Sequence, residues 1–375
     1  MNERMTMPAA QGIAAAACGY LTIDLGAICR NYLKLAEALA PAKAAAVVKA
    51  DAYGLGARPV AEALYKTGCR DFFVAHFMEV AAVRPVLPAD TVLYVLNGLQ
   101  PGNELACAAA GVVPVLNSLE QLRRWSAAAH GLGKRLPAAL QFDTGMSRLG
   151  FSPAEQVQLK SELADHELVD IRFIMSHLAS ADEVESEQND QQLAEMQRIA
   201  KEFPDLPVCF ANSNGIFLGQ SYHGYMARPG IALYGGNPTA SQTNPMEPVV
   251  GLKIAVIQTR TIPAGTRVGY GATFVAPREM RLATIAAGYA DGLPRSLSDR
   301  GAVYFGDHRL PIVGRVSMDS MTVDISALPV GAVTLGSLVE MIGPHQTLDD
   351  LAQAAGTISY EVLTSLGQRY ERQYL

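Results

Sequence analysis

The sequence predicts an α/β protein: an N-terminal (β/α)8 barrel of the TIM type followed by a C-terminal, mostly-β domain. Three observations carry that prediction. From about residue 44, eight short runs rich in Val, Ile, Leu and Phe alternate with stretches of helical period. The runs do not alternate apolar with polar residues, which marks strands buried on both faces of a parallel sheet. After about residue 245 the helical stretches give way to strand-like runs separated by Gly-rich turns. The length of 375 residues leaves room for two domains at ~150 residues each.

Residues 1–18 read as a flexible N-terminal extension. IAAAAC (13–18) after Arg4 imitates a secretory signal, but its apolar part is short and almost all Ala, against about 7–15 apolar residues in a true signal. The cytoplasm is the expected compartment. GYLTIDLGAICRNYLKLAEAL (19–39) holds a strand and a helix, and spacing leaves open which domain the strand joins. The barrel runs are AAAVVKA (44–50), DFFVAH (71–76), TVLYVLN (91–97), VVPVLN (112–117), AALQFD (138–143), DIRFIMSH (170–177), PVCFAN (207–212) and RPGIALYG (228–235). Amphipathic segments such as 118–133 and 190–203 lie between them. A doubly wound sheet is the alternative, but no GxGxxG follows the first strand. The barrel domain is therefore placed at 19–245. NPTASQTNPMEP (237–248) is a connector, and 246–375 is the β domain, interrupted by one helical segment at 348–356.

Composition narrows the function. Hydrophobic residues make up 49% and charged residues 18%, enough to bury a large core and exclude general disorder. A net charge of -6 leaves no basic footprint for nucleic acid. No apolar run approaches the ~20 residues of a membrane span. Five scattered cysteines without a CxxC, and histidines without a helical pair, argue against a disulfide framework or a metal site.

The candidate chemistry gathers at strand ends, where barrel enzymes build their sites. Lys49 follows the first run; partial desolvation there lowers a lysine's pKa and favours Schiff-base chemistry, the plain alternative being a rim salt bridge. Asp143, Arg148, His177, Asn212, Ser213 and Arg228 sit where strands five to eight finish. Each alone could be structural, yet arginines, a hydroxyl and Gly230 together suggest a site for phosphate and carboxylate. In the β domain, VGYGATF (268–274), GYADG (288–292) and GRVSMD (314–319) carry Tyr270, Tyr289, Met318 and Asp319 on small-residue turns. Tyrosine packing on a β-turn is the bland alternative for these.

AVVKADAYG, DTGMSRLG, RPGIALYG, YGAT, GYADG and VGRVSMD occur in the order and spacing of the alanine racemases, which the chain resembles from about residue 20 to 370. The resemblance implies pyridoxal 5'-phosphate as cofactor, a small amino acid as substrate and a homodimer with shared active sites. By that resemblance Lys49 bears the cofactor and acts on D-alanine, while Tyr270 from the partner subunit acts on L-alanine. Arg148 and the Met318 backbone hold the substrate carboxylate. Tyr53, Ser213, Gly230, Ile231 and Tyr360 surround the phosphate, with Asn212 nearby. Arg228 faces the pyridine nitrogen and His177 lies against the ring. Gln141, Tyr289, Arg295 and Asp319 support the site. Two opposed bases suit racemisation, which takes a proton from one face of Cα and returns one to the other.

The chain departs from the family's pattern at Gln141, where many members have a lysine, often carbamylated, and at Leu55, where many have His. A neutral Gln141 cannot fix Arg148 as an anion would, so an inorganic anion, most simply chloride, is expected beside Gln141 and Arg148. Three rival readings remain at this stage. A non-catalytic pyridoxal-phosphate carrier would need neither a β domain nor Tyr270. A decarboxylase would be expected to place an acid where Arg228 stands. A racemase of other or a broader range of small amino acids is the nearest rival. Whether D-alanine serves peptidoglycan or alanine catabolism is open at the level of sequence.

Overall fold

The structure is a computed structural model that describes residues 17–239 and 242–375; the expected N-terminal extension lies, up to residue 16, outside the described residues. Two compact units emerge. One spans Gly26–Glu247, and the other joins the chain up to Leu25 with Pro248–Leu375.

The first unit is a closed parallel barrel. Lys43–Ala44 pairs with Met226–Arg228, and Ala46–Val47 pairs with Asp71–Val74. Ala45 between them donates its N–H to Ala227 O at 3.0 Å, so the two pieces are one interrupted strand touching both its neighbours in the ring. Val92–Val95, Val113–Leu116, Leu136–Gln141, Val169–Met175 and Val208–Asn212 complete the eight. Every residue of Asp71–Val74 and Val113–Leu116 is buried, as double coverage requires. Inside, the Tyr94 ring stacks on Phe73 at 4.5 Å and meets Phe173 edge-on at 5.3 Å.

The eighth run is a strand only at Met226–Arg228; Ile231–Tyr234, expected to continue it, forms a 3-10 turn. Pro229 has no N–H for a ladder, and Gly230 at φ -125°, ψ -86° leaves the extended region. Two helices fall on the expected amphipathic segments. Leu119–Leu132 is capped by Ser118, and Glu187–Glu202 buries Asn189, Gln192, Met196 and Ile199 on one side.

The second unit is built on the long strand Val250–Ile262, whose first half alternates between buried and more exposed residues. It pairs antiparallel with Gly19–Ile23, Leu338–Ile342 and Met280–Ile285. The strand Gly19–Ile23, which the boundary at 19 had assigned to the barrel, thus belongs to this sheet, and its other edge pairs in parallel with Glu371–Tyr374. Its BiBiB burial pattern suits a sheet with one covered face and does not suit a barrel strand. The helix at Leu348–Ala355 appears as expected, opened by a Thr347/Asp350 capping box and closed by left-handed Gly356. A second helix, Ser359–Ser365, was not foreseen, because its Tyr, Val and Thr favour strands.

Candidate active site

Lys49 sits just beyond the first barrel strand, where the backbone makes an unusual turn. Ala50, Asp51, Ala52 and Tyr53 all have φ between 52° and 55°. Left-handed geometry costs an L-residue about 1–2 kcal/mol, so four in succession persist only if other bonds hold them. Gly54 N–H donates to Ala50 O at 2.7 Å and Gly56 N–H to Asp51 O at 2.8 Å. The Asp51 carboxylate accepts the Ala57 N–H at 2.7 Å, and Glu79 accepts the Ala50 N–H at 2.7 Å. The turn leaves Lys49 half-buried and sends Tyr53 into the barrel end, 6% exposed, with its ring 4.8 Å from Tyr234.

Arg228 ends the eighth strand at 3% exposure. Its guanidinium donates to Cys209 O at 2.8 Å, Ser176 O at 2.6 Å and Phe210 O at 3.3 Å, and approaches His177 Nδ1 at 3.5 Å. All these acceptors are neutral. Nε, in contrast, meets no acceptor among the described residues. Desolvation first, then the positive charges of Arg228, Arg148 and Lys49, push the His177 pKa down to about 3, so its imidazole is neutral. Desolvation also lowers the Lys49 pKa, Arg148 and Arg228 lower it further, and Glu79 alone acts the other way.

The segment 143–150 forms a loop that presents Arg148. Asp143 Oδ1 accepts three successive N–H groups, from Gly145, Met146 and Ser147, at 2.9–3.0 Å. Gly150 at φ 107° closes the loop; a Cβ there would fall 2.6 Å from Asp143 N. Phe151 N–H then returns to Gln141 O at 2.7 Å. Gln141 is 5% exposed, and neither its amide nor the exposed Arg148 guanidinium finds a hydrogen-bond partner among the described residues. Lys49 and Arg148 line one cavity of about 780 Å³ together with His76, Asn97 and Gln121.

A close backbone approach forms where Tyr53 meets Gly230. Ser213 Oγ accepts the N–H groups of Gly230 at 2.8 Å and Ala232 at 3.3 Å, which fixes the turn holding Ile231. A Cβ on Gly230 would lie 2.2 Å from Tyr53 Oη; only glycine admits the phenol there. Asn212 is engaged locally, its Oδ1 accepting the Gly215 N–H at 2.9 Å. The barrel thus brings Lys49, Tyr53, Arg148, His177, Ser213, Arg228, Gly230 and Ile231 to one end.

In the β unit, Tyr270 stands 69% exposed at the tip of the hairpin Arg267–Val268/Phe274–Val275. Gly269 and Gly271 have φ of 72° and 69°, and a Cβ on Gly271 would meet Arg315 Nη1 at 2.8 Å. Arg315 therefore lies directly under the Tyr270 loop. Tyr289 N–H donates to Ser317 O at 3.1 Å and Ala290 N–H to Met318 O at 3.0 Å, tying the second and third motifs together. Met318, Tyr289 and Tyr360 are 51%, 44% and 37% exposed. Arg369 forks onto Asp291 at 2.6 and 2.7 Å and reaches Asp319 at 2.6 Å. Arg295 is exposed. Among the described residues no three His, Cys, Asp or Glu side chains gather as a metal site would require, and no helix is long and apolar enough to cross a membrane.

Sequence reasoning missed Glu79, Gln192, Arg315 and Arg369. Gln192, fully buried on a helix, donates to His177 O at 2.9 Å and Thr144 Oγ1 at 3.1 Å and accepts from Ala179 N–H at 2.8 Å. None of the four lies at a strand end. The only hint was that two polar residues, Asn189 and Gln192, share the buried side of their helix with Met196 and Ile199.

Residues 23–238 match the family model "Alanine racemase, N-terminal domain" and residues 249–374 match "Alanine racemase, C-terminal domain". The chain is 67% identical over 362 residues to a Rhizobium johnstonii protein named "Alanine racemase, catabolic", covering 96% of each. It is 60% identical over 367 residues to an Agrobacterium fabrum protein of the same name, covering 97% of this chain and 94% of that one. Among solved structures, alanine racemase from Bartonella henselae with covalently bound pyridoxal phosphate superposes with a TM-score of 0.92 at 44% identity, over 96% of this chain and 100% of that one.

Proposed function

We propose a two-base racemisation of alanine for this chain, which belongs to the alanine racemase family and is an isomerase with pyridoxal 5'-phosphate as cofactor. The residues at the barrel end fit that cofactor. The buried Arg228 leaves only Nε without an acceptor among neutral partners, as expected if an acceptor arrives with the ring. Gly230 keeps clear the space beside Tyr53 Oη, which the phosphate's donors require. Lys49 would bear the group, Tyr53, Ser213, Gly230 and Ile231 would hold its phosphate with Tyr360, and His177 would lie against the ring. When bound, the cofactor acts as the electron sink that makes the alanine Cα–H acidic.

The chain's own residues do the rest. Arg148 orients the substrate carboxylate with the Met318 backbone, because a guanidinium matches a carboxylate in bidentate fashion. Lys49, its pKa lowered chiefly by desolvation, holds or releases a proton nearer neutral pH than a free lysine does, and serves D-alanine. Tyr270 of the partner subunit serves L-alanine from the opposite face, its exposure at a hairpin tip supporting a role in a shared homodimeric site. Arg228 has donors and no acceptor, so it would donate to a pyridine nitrogen that carries no proton; that would temper electron withdrawal and favour return of the proton to Cα over transamination. A chloride ion beside Gln141 and Arg148 supplies the negative charge that Gln141 lacks. The catabolic role is supported by the names of two relatives over supply of D-alanine for peptidoglycan.

The observation that carries this reading is the convergence of Lys49, Arg148, His177 and Arg228, close enough that the two arginines lower the pKa of both Lys49 and His177. Borohydride reduction of the holoenzyme followed by peptide mapping tests it. The label is expected on Lys49 alone, with Lys49→Ala losing both racemisation and the reducible chromophore. A label on another lysine overturns the site.

A further inference from the structure

Glu79 lies outside the six sequence motifs, in a 3-10 turn after the second strand, Phe77–Glu79. Its carboxylate accepts three backbone N–H groups: Ala50 on Oε1 at 2.7 Å, and Ala75 and His76 on Oε2 at 2.6 and 3.0 Å. Two of these donors directly follow the second strand, Asp71–Val74; the third is the first residue of the left-handed turn that begins beside Lys49. A carboxylate bonded this way ties one strand end to the next with charge-assisted bonds, stronger than neutral ones. At its entry the turn is also held by the Ala52 N–H donating to Val48 O at 2.9 Å and the Gly54 N–H to Ala50 O at 2.7 Å, but Glu79 is the charged group that meets it there, while Asp51 anchors its far side through the Ala57 N–H.

We propose that Glu79 is a positioning residue for the cofactor site: by pinning the Ala50 N–H it sets the left-handed turn, and through the turn it sets both Lys49 at its start and Tyr53 at its end. The two residues that grip opposite parts of the cofactor are thereby placed by one carboxylate neither of them touches. The charge acts in the same sense. Lys49 is faced by Arg148, Arg228 and neutral His177, and Glu79 is the anion among the groups acting on it. This rests on Lys49 as the cofactor lysine, which the borohydride map tests separately.

The experiment compares the holoenzyme with Glu79→Ala and Glu79→Gln. Backbone hydrogen exchange is followed at Ala50–Gly56 and across the barrel strands, together with loss of cofactor absorbance on dialysis and kinetics with alanine. In Glu79→Ala, exchange in the turn and cofactor loss are each expected to rise about tenfold, the worth of one charge-assisted bond. The value of kcat should fall while KM for alanine changes little, because Arg148 is not displaced. Glu79→Gln retains one oxygen acceptor in place of two and should recover part of each effect. Wild-type exchange at Ala50–Gly56 in Glu79→Ala overturns the proposal, as does an equal rise in every barrel strand. If Glu79→Ala does not fold, Glu79→Gln decides: faster cofactor loss with exchange raised in the turn alone supports it, and unchanged cofactor loss rejects it.

Discussion

Replacing Gly230 by alanine should loosen the cofactor by displacing Tyr53. The backbone at Gly230 is at φ -125°, outside the left-handed region, and one cost of a side chain there is explicit. It is contact: the new Cβ would lie 2.2 Å from Tyr53 Oη and 2.9 Å from Cζ. Tyr53 cannot simply swing out, because its ring packs on Tyr234 at 4.8 Å and Tyr234 is itself fully buried, with its hydroxyl donating to Val47 O at 2.8 Å. Overpacking of this kind costs about 1–3 kcal/mol in stability. Displacing Oη would also remove the charge-assisted bond to phosphate proposed for Tyr53, worth about 1.5–3 kcal/mol, or about 10–150-fold in cofactor affinity. The assay is cofactor titration of the apoenzyme, followed by absorbance, for Gly230→Ala, Tyr53→Phe and the double variant. Tyr53→Phe removes the same bond and also the nearer of the two clashing atoms. The two affinity losses should therefore overlap in the double variant and not add. Wild-type affinity in Gly230→Ala, or strictly additive losses, would refute the reasoning.

Three further outcomes follow from the same geometry. Mixing Lys49→Ala with Tyr270→Phe subunits should restore activity, because a mixed dimer contains one site with both bases; no rescue after demonstrated subunit exchange refutes a shared site. Folded His177 stays neutral to a pKa of about 3 against 6.5 for a free histidine, so the stability this gives is complete above about pH 6.5 and is lost progressively as the pH falls towards 3. His177→Gln should flatten that decline in urea-unfolding midpoints between about pH 7 and pH 5, and equal slopes would refute it. Crystals soaked in bromide should show an anomalous peak beside Gln141 and Arg148; no peak there, with activity indifferent to halide at constant ionic strength, rejects the anion.

What was legible in the sequence is what local pattern controls. Apolar runs that do not alternate gave the barrel strands, and residues following them gave Lys49, Arg148 and Arg228, since strand ends are local features. Two kinds of information were not local. One is the long-range partner: Gly19–Ile23 reads as a strand, but its place between Val250–Ile262 and Glu371–Tyr374 depends on segments more than two hundred residues away. The other is the support behind a site residue. Glu79 and Gln192 look like ordinary polar residues of helical turns until the fold brings backbone N–H groups to them. RPGIALYG misled for a third reason, as its apolar content suits a strand while Pro229 and Gly230 forbid one.

The pairing of Gly19–Ile23 also has a bearing on how the molecule is made. Synthesis runs from the N-terminus, so this strand leaves the ribosome before the barrel, yet both of its sheet neighbours come after the whole of the barrel. The barrel's strands pair largely with those next in sequence and can close as a unit early. The early strand meanwhile waits with two open edges, which invite wrong pairing. Its polar Tyr20 and Thr22 face alternates with buried Leu21 and Ile23, so only one side is sticky during the wait. The parallel partner arrives last, when translation reaches Tyr374, and the β sheet is sealed only then.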